Sequence, residues 1–366
     1  MQVYTSHKIF TGEEWISNHA IIVENGIIQQ ILPINKIPAN AIISDVGDAV
    51  IAPAFIDLQI YGAYGKLLSA YPEQDSLNKL VKYCANGGAT LCLPTVATNT
   101  LDVFYKAIDT IKTYWDNCEI GILGIHLEGP WLHPIKRGAH IESCIHEPTI
   151  EEVKKLLEYG KGVIKMITLA PEQCSDEVIE LIHTHNIVIS AGHSNATYDQ
   201  AKSSFSKGVK TITHLYNAMT PLQHRAPGLV GAAMDSDTVM ASIIADGYHV
   251  DYAAIRIAKA VMQERLFIIT DAVTDTDIGP YQHILAGDKY EAAGILSGSA
   301  LTMFKAVTNL VRHCNIELGE AINMGSLYPA KLIGLDNEFG KIKAGYRAEL
   351  IAINTESNSC EILSGE

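Results

Sequence analysis

Several polar residues stand directly behind short apolar runs. Gln59 follows 50–58 (VIAPAFIDL), Glu128 ends the run in GILGIHLEGP, His193 lies in SAGHSNAT and His214 in ITHLYNAM. Asp246 and His249 follow the run that ends in IADGYH, and Asp271 ends IITDA. A carboxylate at the end of a buried strand is costly unless it is paired or holds a cation. Glu128, His193 and His214 supply one carboxylate and two imidazoles, a set that suits zinc or another divalent first-row metal. Three protein ligands leave room for a water, and Asp271 is then the natural base to take its proton and pass it to a leaving group. One histidine in such a place would read as a satisfied core residue. Several converging on one rim do not. The His183-x-His185 pair in LIHTHNIV ends a helix and precedes a strand, so it falls on the opposite face, where a last-turn histidine answers the helix dipole. His7, His19, His283 and His313 have no comparable setting and read as structural.

The convergence requires a scaffold. Eight apolar runs, at 50–58, 89–95, 120–127, 163–169, 187–191, 210–213, 239–245 and 267–271, alternate with amphipathic stretches. Continuous apolarity is what parallel strands covered on both faces need. Thr149-x-x-Glu152 and Thr197-x-x-Gln200 read as capping boxes, with stops near Gly160 and Gly208. The pattern predicts an α/β chain with a (β/α)8 barrel over 50–334, whose strand ends converge on the C-terminal face. Residues 1–49 and 335–366 predict a small β-sandwich built from both termini, with a turn at Asn25-Gly26 and a turn-rich strand pair in 338–354.

Composition narrows the partners. The 366 residues are 48% hydrophobic and 19% charged, so much of the chain is interior. A net charge of −14 argues against nucleic acid but leaves room for a local anion site. Seven scattered cysteines without Cys-x-x-Cys fit a reduced interior. The start, MQVYTSHKIF, lacks the basic and apolar regions of a signal peptide, and no apolar stretch reaches membrane-spanning length. The expectation is a soluble cytoplasmic protein.

HLEGPW, KRGAH, SAGHSNAT, THLYNAM, ADGYHVD, TDA and LSGSALTM occur in this order. Together they closely resemble the N-acetylglucosamine-6-phosphate deacetylases of the amidohydrolase superfamily, over nearly the whole chain. The resemblance implies Glu128, His193 and His214 as ligands of one divalent metal per chain, zinc first, with Fe²⁺ or another first-row ion as alternatives. It implies Asp271 as acid/base and His140 as the residue that polarises the substrate carbonyl. Ala139, Asn217 and Ala218 would contact substrate, Arg225 and His249 would recognise phosphate, and Leu296, Ser297 and Gly298 would form a loop over it. Arg225 alone would read as a surface charge; the resemblance implies a homodimer in which it reaches the neighbouring site.

One departure from the wider superfamily stands out. Many members carry His-x-His after the first strand, whereas IDLQIYG has Gln59 and Tyr61 there. Neutral glutamine is a poor ligand for a tight transition-metal site. A mononuclear centre follows, with Gln59 reaching the metal through a water. Lys165 lies too early in VIKMITLAPE to bridge metals. The expected reaction is hydrolysis of N-acetylglucosamine 6-phosphate to acetate and glucosamine 6-phosphate. The galacto isomer is an alternative substrate, because the sugars differ only at C4. A non-catalytic phosphosugar binder is the alternative of a different class.

Overall fold

The eight apolar runs become eight parallel strands: β1 (Phe55–Ile60), β2 (Ala89–Ala97), β3 (Ile125–Glu128), β4 (Ile164–Leu169), β5 (Val188–Ala191), β6 (Val209–Ile212), β7 (Met240–Ile243) and β8 (Leu266–Ile268). Each lies beside its chain neighbours. The computed structural model describes residues 1–117, 120–292 and 294–363. The ring closes just beyond β8, where Asp271 N donates to Gln59 O and Tyr61 N to Ala272 O, both at 2.9 Å. Closure leaves no sheet edge and sends all eight strand ends to one rim.

One helix follows each strand: α1 (Gln74–Asn86), α2 (Leu101–Asp116), α3 (Ile150–Tyr159), α4 (Asp176–Thr184), α5 (Tyr198–Ser206), α6 (Gly228–Met234), α7 (Tyr252–Met262) and α8 (Met303–Cys314). α2 shows why they pack. Phe104, Ala107, Ile108 and Ile111 fall on one helical face, and all are buried. Burying a side chain such as Phe104 or Ile108 contributes about 1.5–3 kcal/mol over leaving it in water. α5 begins with the full reciprocal box of Thr197 and Gln200. At α3 only half forms. Thr149 accepts from Glu152 N, but the Glu152 carboxylate accepts from Trp131 Nε1 at 2.8 Å and bonds His146. Glu152 thus pins the β3 loop to α3 instead of closing the cap.

The first apolar run splits. Val50–Pro53 pairs with Leu350–Asn354 in a five-stranded sheet, and the barrel begins only at Phe55. The sequence runs apolar from Val50 through Ile56, across the join, so periodicity could not separate the two strands. The terminal strand pair also lies later than 338–354 suggests. Leu350–Asn354 pairs with Ser359–Leu363, while Gly340 and Gly345, at φ +81° and +91°, turn the chain before it. A four-stranded sheet faces this one, and Tyr4, Ile21, Val23 and Ile28 share a core with Ile9, Ile51 and Leu350. Its hairpin turns at Asn25 and Gly26, both at positive φ. Among the described residues no helix is long and apolar enough to cross a membrane.

Candidate active site

Glu128 is the centre of the rim. It closes β3 and is 1% exposed. Gly129 follows at φ +88°, and a Cβ there would overlap Thr98 Oγ1, which donates to Glu128 O at 3.1 Å. That close approach accounts for the glycine.

Three imidazoles surround the carboxylate. Glu128 Oε1 lies 3.4 Å from His193 Nε2 and 3.2 Å from His214 Nε2, and Oε2 lies 3.2 Å from His140 Nε2. Burial alone would raise the Glu128 carboxyl, yet the three rings hold it well below the usual range. His193 is also pushed down, by burial and by neighbouring His140, which for an imidazole favours the neutral form. His193, His214 and Asp271 all take positive φ, +47°, +36° and +55°. Left-handed backbone at non-glycine residues is costly and clusters at functional sites. Here it turns each side chain inward just past its strand.

Glu128, His140 and His193 offer ligand atoms close enough for one metal ion; Glu128, His193 and His214 form a second such triad. Hydrogen bonding distinguishes them. Thr98 N–H donates to His140 Nδ1 at 3.3 Å, so the neutral ring carries its proton on Nε2 and offers a donor there. His193 Nδ1 donates to Lys136 O at 2.9 Å, which leaves the Nε2 lone pair free. That lone pair meets His214 Nε2 at 3.1 Å. His214 Nδ1 has no partner among the described residues. Three ligands on one tetrahedral ion with bonds of about 2.0–2.1 Å sit about 3.3–3.4 Å apart. The observed edges of 3.1, 3.2 and 3.4 Å match that spacing. The Glu128, His193 and His214 donor set therefore fits a divalent cation, and His140 is left as a donor beside it.

Asp271 completes the rim. Gln59 Nε2 lies 2.8 Å from Asp271 Oδ1, 3.2 Å from Glu128 Oε1 and 2.7 Å from Tyr61 Oη. Tyr61 donates to Glu128 Oε2 at 2.5 Å. Burial pushes Asp271 up to about 8; His214 pulls it down and Glu128 pushes it further up. A cation on the ligand triad would draw it back toward the ionised form that a base requires.

A cavity of about 320 Å³ opens above these groups. Glu128, Ala139, His140, His193, His214, Asn217, Ala218, His249, Asp271, Leu296, Ser297 and Gly298 all line it. Asn217 Nδ2 is buried without a partner among the described residues, an unmet donor of the kind a ligand satisfies. His249 Nδ1 sits 2.6 Å from Asp246 Oδ2, and Asp246 Oδ1 accepts from the N–H groups of Tyr248 and His249. Burial alone would raise Asp246, but His249 and these N–H groups hold it down.

Arg225 is exposed and does not line this cavity. Lys165 is exposed near the start of β4, away from the rim. His183 stands exposed in the last turn of α4. Tyr61, Tyr281 and His283 also line the cavity, and of these Tyr281 and His283 carried no signal in the sequence. His283, read as structural, is buried in the cavity wall. Tyr61 was detectable, since it shares the inward face of β1 with Gln59. Tyr281 and His283 come from a long excursion whose return to the rim is purely tertiary.

A (β/α)8 barrel with a buried Glu/His/His set at its C-terminal rim, fused to a small β unit, defines a class of metal-dependent hydrolases. The family model described as "Amidohydrolase family" matches residues 50–364, and "NagA composite domain" matches residues 1–51. The chain belongs to the amidohydrolase family. It is 33% identical to an N-acetylglucosamine-6-phosphate deacetylase of Haemophilus influenzae, over 93% of this chain and 92% of that one. It is 32% identical to an N-acetylgalactosamine-6-phosphate deacetylase of Escherichia coli O157:H7, over 96% and 95%. The crystal structure of N-acetylglucosamine-6-phosphate deacetylase from Pasteurella multocida superposes with a TM-score of 0.93 at 34% identity, covering 98% of this chain and 96% of that one.

Proposed function

We propose that this chain hydrolyses the N-acetyl group of N-acetylglucosamine 6-phosphate, giving acetate and glucosamine 6-phosphate. The observation that carries the reading is the arrangement around Glu128. Two imidazole lone pairs and a carboxylate face one point, with a bridged carboxylate, Asp271, and an imidazole N–H donor, His140, on either side. A non-catalytic phosphosugar binder would have no use for Asp271 so placed.

Glu128, His193 and His214 would hold one divalent ion, zinc first and Fe²⁺ next. Gln59 donates to carboxylates where a second centre would need a ligand, which favours a single ion. When bound, such an ion polarises the carbonyl and makes water acidic. The chain's own residues do the rest. Asp271 takes a proton from the attacking water as its oxygen bonds to the acetyl carbon. His140 Nε2–H donates to the developing oxyanion. Asp271 then delivers the proton to the amide nitrogen, the C–N bond breaks, and acetate and the free amine leave.

At the other end of the cavity, Asn217, Ala218 and His249 would receive the phosphate, and Leu296, Ser297 and Gly298 would cover the sugar. Arg225 lies outside its own cavity, so its contact with phosphate would come from the neighbouring subunit of a homodimer. The absence of cysteine pairing motifs supports a cytoplasmic setting. The galacto isomer is the second reading, favoured by the 32% identity to the Escherichia coli galactosamine enzyme. Acetate release from both phosphosugars, with metal per chain measured on the same sample, tests all of this. The expected result is faster turnover of the gluco sugar with one ion per chain. Faster galacto turnover selects the second reading. Metal-loaded protein releasing no acetate from either sugar would overturn the hydrolase reading.

A further inference from the structure

One wall of the cavity supplies no group to the bond-breaking steps described above. It is built by the excursion between Asp271 and α8, where Ile284–Ala286, Lys289–Ala292 and Ile295–Ser299 form an antiparallel sheet. His283 stands just before the first of these strands and lines the cavity beside Ser297. Its Nδ1 and the Ser297 hydroxyl are 2.5 Å apart. Tyr281 lies nearly parallel to its ring, with centroids 6.2 Å apart at 9°, and Tyr290 meets it edge-on. Tyr281 is itself fixed, because its hydroxyl donates to Thr98 O at 2.6 Å and its ring meets His140 edge-on. The imidazole therefore has a set orientation and one committed nitrogen. Among the described residues Nε2 makes no hydrogen bond within the chain, and it is not among the sealed polar atoms that lack partners. It is open on the cavity side.

We propose that His283, backed by Ser297, reads a ring hydroxyl of the amino sugar through Nε2. The inference rests on the deacetylase reading and adds a specificity residue to it. The chemistry selects a hydroxyl over the other groups of the substrate. Burial pushes the imidazole down to about 4, so the ring is neutral at working pH and is no partner for phosphate. The acyl carbonyl already has the His140 donor. A neutral imidazole backed by a hydroxyl presents either a donor or an acceptor at Nε2, depending on which way the Ser297 O–H points. A sugar hydroxyl is both donor and acceptor and fits either state, whereas a carbonyl fits one. Leu67, Val273 and Tyr281 form an apolar cluster in the same wall. In such surroundings a polar group left unpaired is penalised, which turns one hydrogen bond into discrimination.

The test compares kcat/KM for N-acetylglucosamine 6-phosphate and its 3-deoxy and 4-deoxy analogues in the wild-type holoenzyme, His283→Phe and Ser297→Ala. The wild type should lose about tenfold on one analogue, the size of one good hydrogen bond. His283→Phe should lose about tenfold on the parent sugar and nothing further on that same analogue. Ser297→Ala, which removes only the backing hydroxyl, should follow the same pattern at smaller amplitude, and it carries the test alone where the phenylalanine variant does not fold. Parent-to-deoxy ratios identical in all three proteins would overturn the assignment of His283. A wild type inactive on the parent sugar would instead remove the deacetylase reading, and this inference with it.

Discussion

The barrel interior holds two tiers of buried polar residues, and they obey different rules. In the lower tier every proton of one chain has a place. His126 Nδ1 lies 3.1 Å from Leu58 O, a carbonyl that can only accept, so His126 donates there and its Nε2 must accept from Thr168 Oγ1 at 2.8 Å. Thr168 then accepts from Thr213 at 2.6 Å, and Thr213 from Ser190 at 2.5 Å. Burial, which pushes His126 down to about 4, keeps that ring neutral and the direction of the chain fixed. The upper tier is left open at its centre. Two imidazole nitrogens confront each other, His214 Nδ1 and Asn217 Nδ2 lack partners among the described residues, and Glu128 is shared by three rings. The contrast separates structure from function better than burial does, since both tiers are buried. A satisfied network rigidifies; an unsatisfied one awaits a ligand.

The comparison is broken most directly at Asp271. Asp271→Asn is nearly isosteric, so fold and metal content should survive while both proton transfers lose their carrier. Acid–base assistance is worth about 10²–10⁴-fold, and one group here serves twice, so kcat should fall by about 10⁴-fold or more. Turnover within tenfold of wild type, with metal retained, would remove Asp271 from the mechanism. Next in size is Arg225→Ala. Losing a charge-assisted contact to phosphate should raise KM about 10- to 100-fold and blunt the preference over unphosphorylated N-acetylglucosamine. Mixing this variant with Asp271→Asn should restore part of the activity, because mixed dimers would hold one intact shared site. No recovery would argue against sharing.

Much of this was legible before any coordinates, for a physical reason. A barrel strand is mostly apolar along its length, so Glu128, His193, His214 and Asp271 stand out as the charged or imidazole groups that close such runs. Gln59 and Tyr61 are two apart on one strand and so share a face. What the sequence hid arrives by tertiary return. Tyr281 and His283 sit in a loop and hairpin with no apolar period to anchor them. The lower tier was hidden differently: Thr168, Ser190 and Thr213 lie inside or next to the runs, where small hydroxyl residues look like tolerated interruptions. Val50–Pro53 and Phe55–Ile60 could not be parted because the apolar run continues across their join as far as Ile56, and only pairing partners distinguish them.

The lower tier yields the converse test at Thr168. Thr168→Val keeps the shape but leaves His126 Nε2 without a donor and the Thr213 hydroxyl without an acceptor. Unsatisfied buried groups cost about 1–3 kcal/mol each, so the thermal midpoint should drop while kcat stays within a few-fold. A variant as stable as wild type but much slower would mean that the two tiers are not separable in function.

The smallest effect on turnover is expected at Asp57, the charged member of the lower tier. It is fully buried below Gln59. Its Oδ1 accepts from the N–H groups of Gln59 and Thr270 at 3.3 and 3.2 Å, and its Oδ2 accepts from Thr270 Oγ1 at 2.5 Å. Burial raises the carboxyl from 3.8 to about 6, against the pull of these hydrogen bonds. Because the folded value lies above the unfolded one, the unfolded chain ionises first as pH rises. Ionisation therefore opposes folding: the penalty is absent below about pH 4, grows between about 4 and 6, and is complete above, where the shift corresponds to about 3 kcal/mol. Asp57→Asn removes that penalty. The amide oxygen can keep both backbone bonds, and the amide nitrogen can donate to Thr270 Oγ1, whose own proton can turn toward Gln59 O at 3.4 Å. The variant should match or exceed wild-type stability at pH 7.5, lose the advantage near pH 4, and turn over within a few-fold of wild type. Thermal midpoints of both proteins across pH 4–8 measure this. A variant that is less stable at pH 7.5 than at pH 4.5, relative to wild type, would mean that the ionised carboxylate is itself a satisfied part of the lower tier, and that the tier's closure extends to charge.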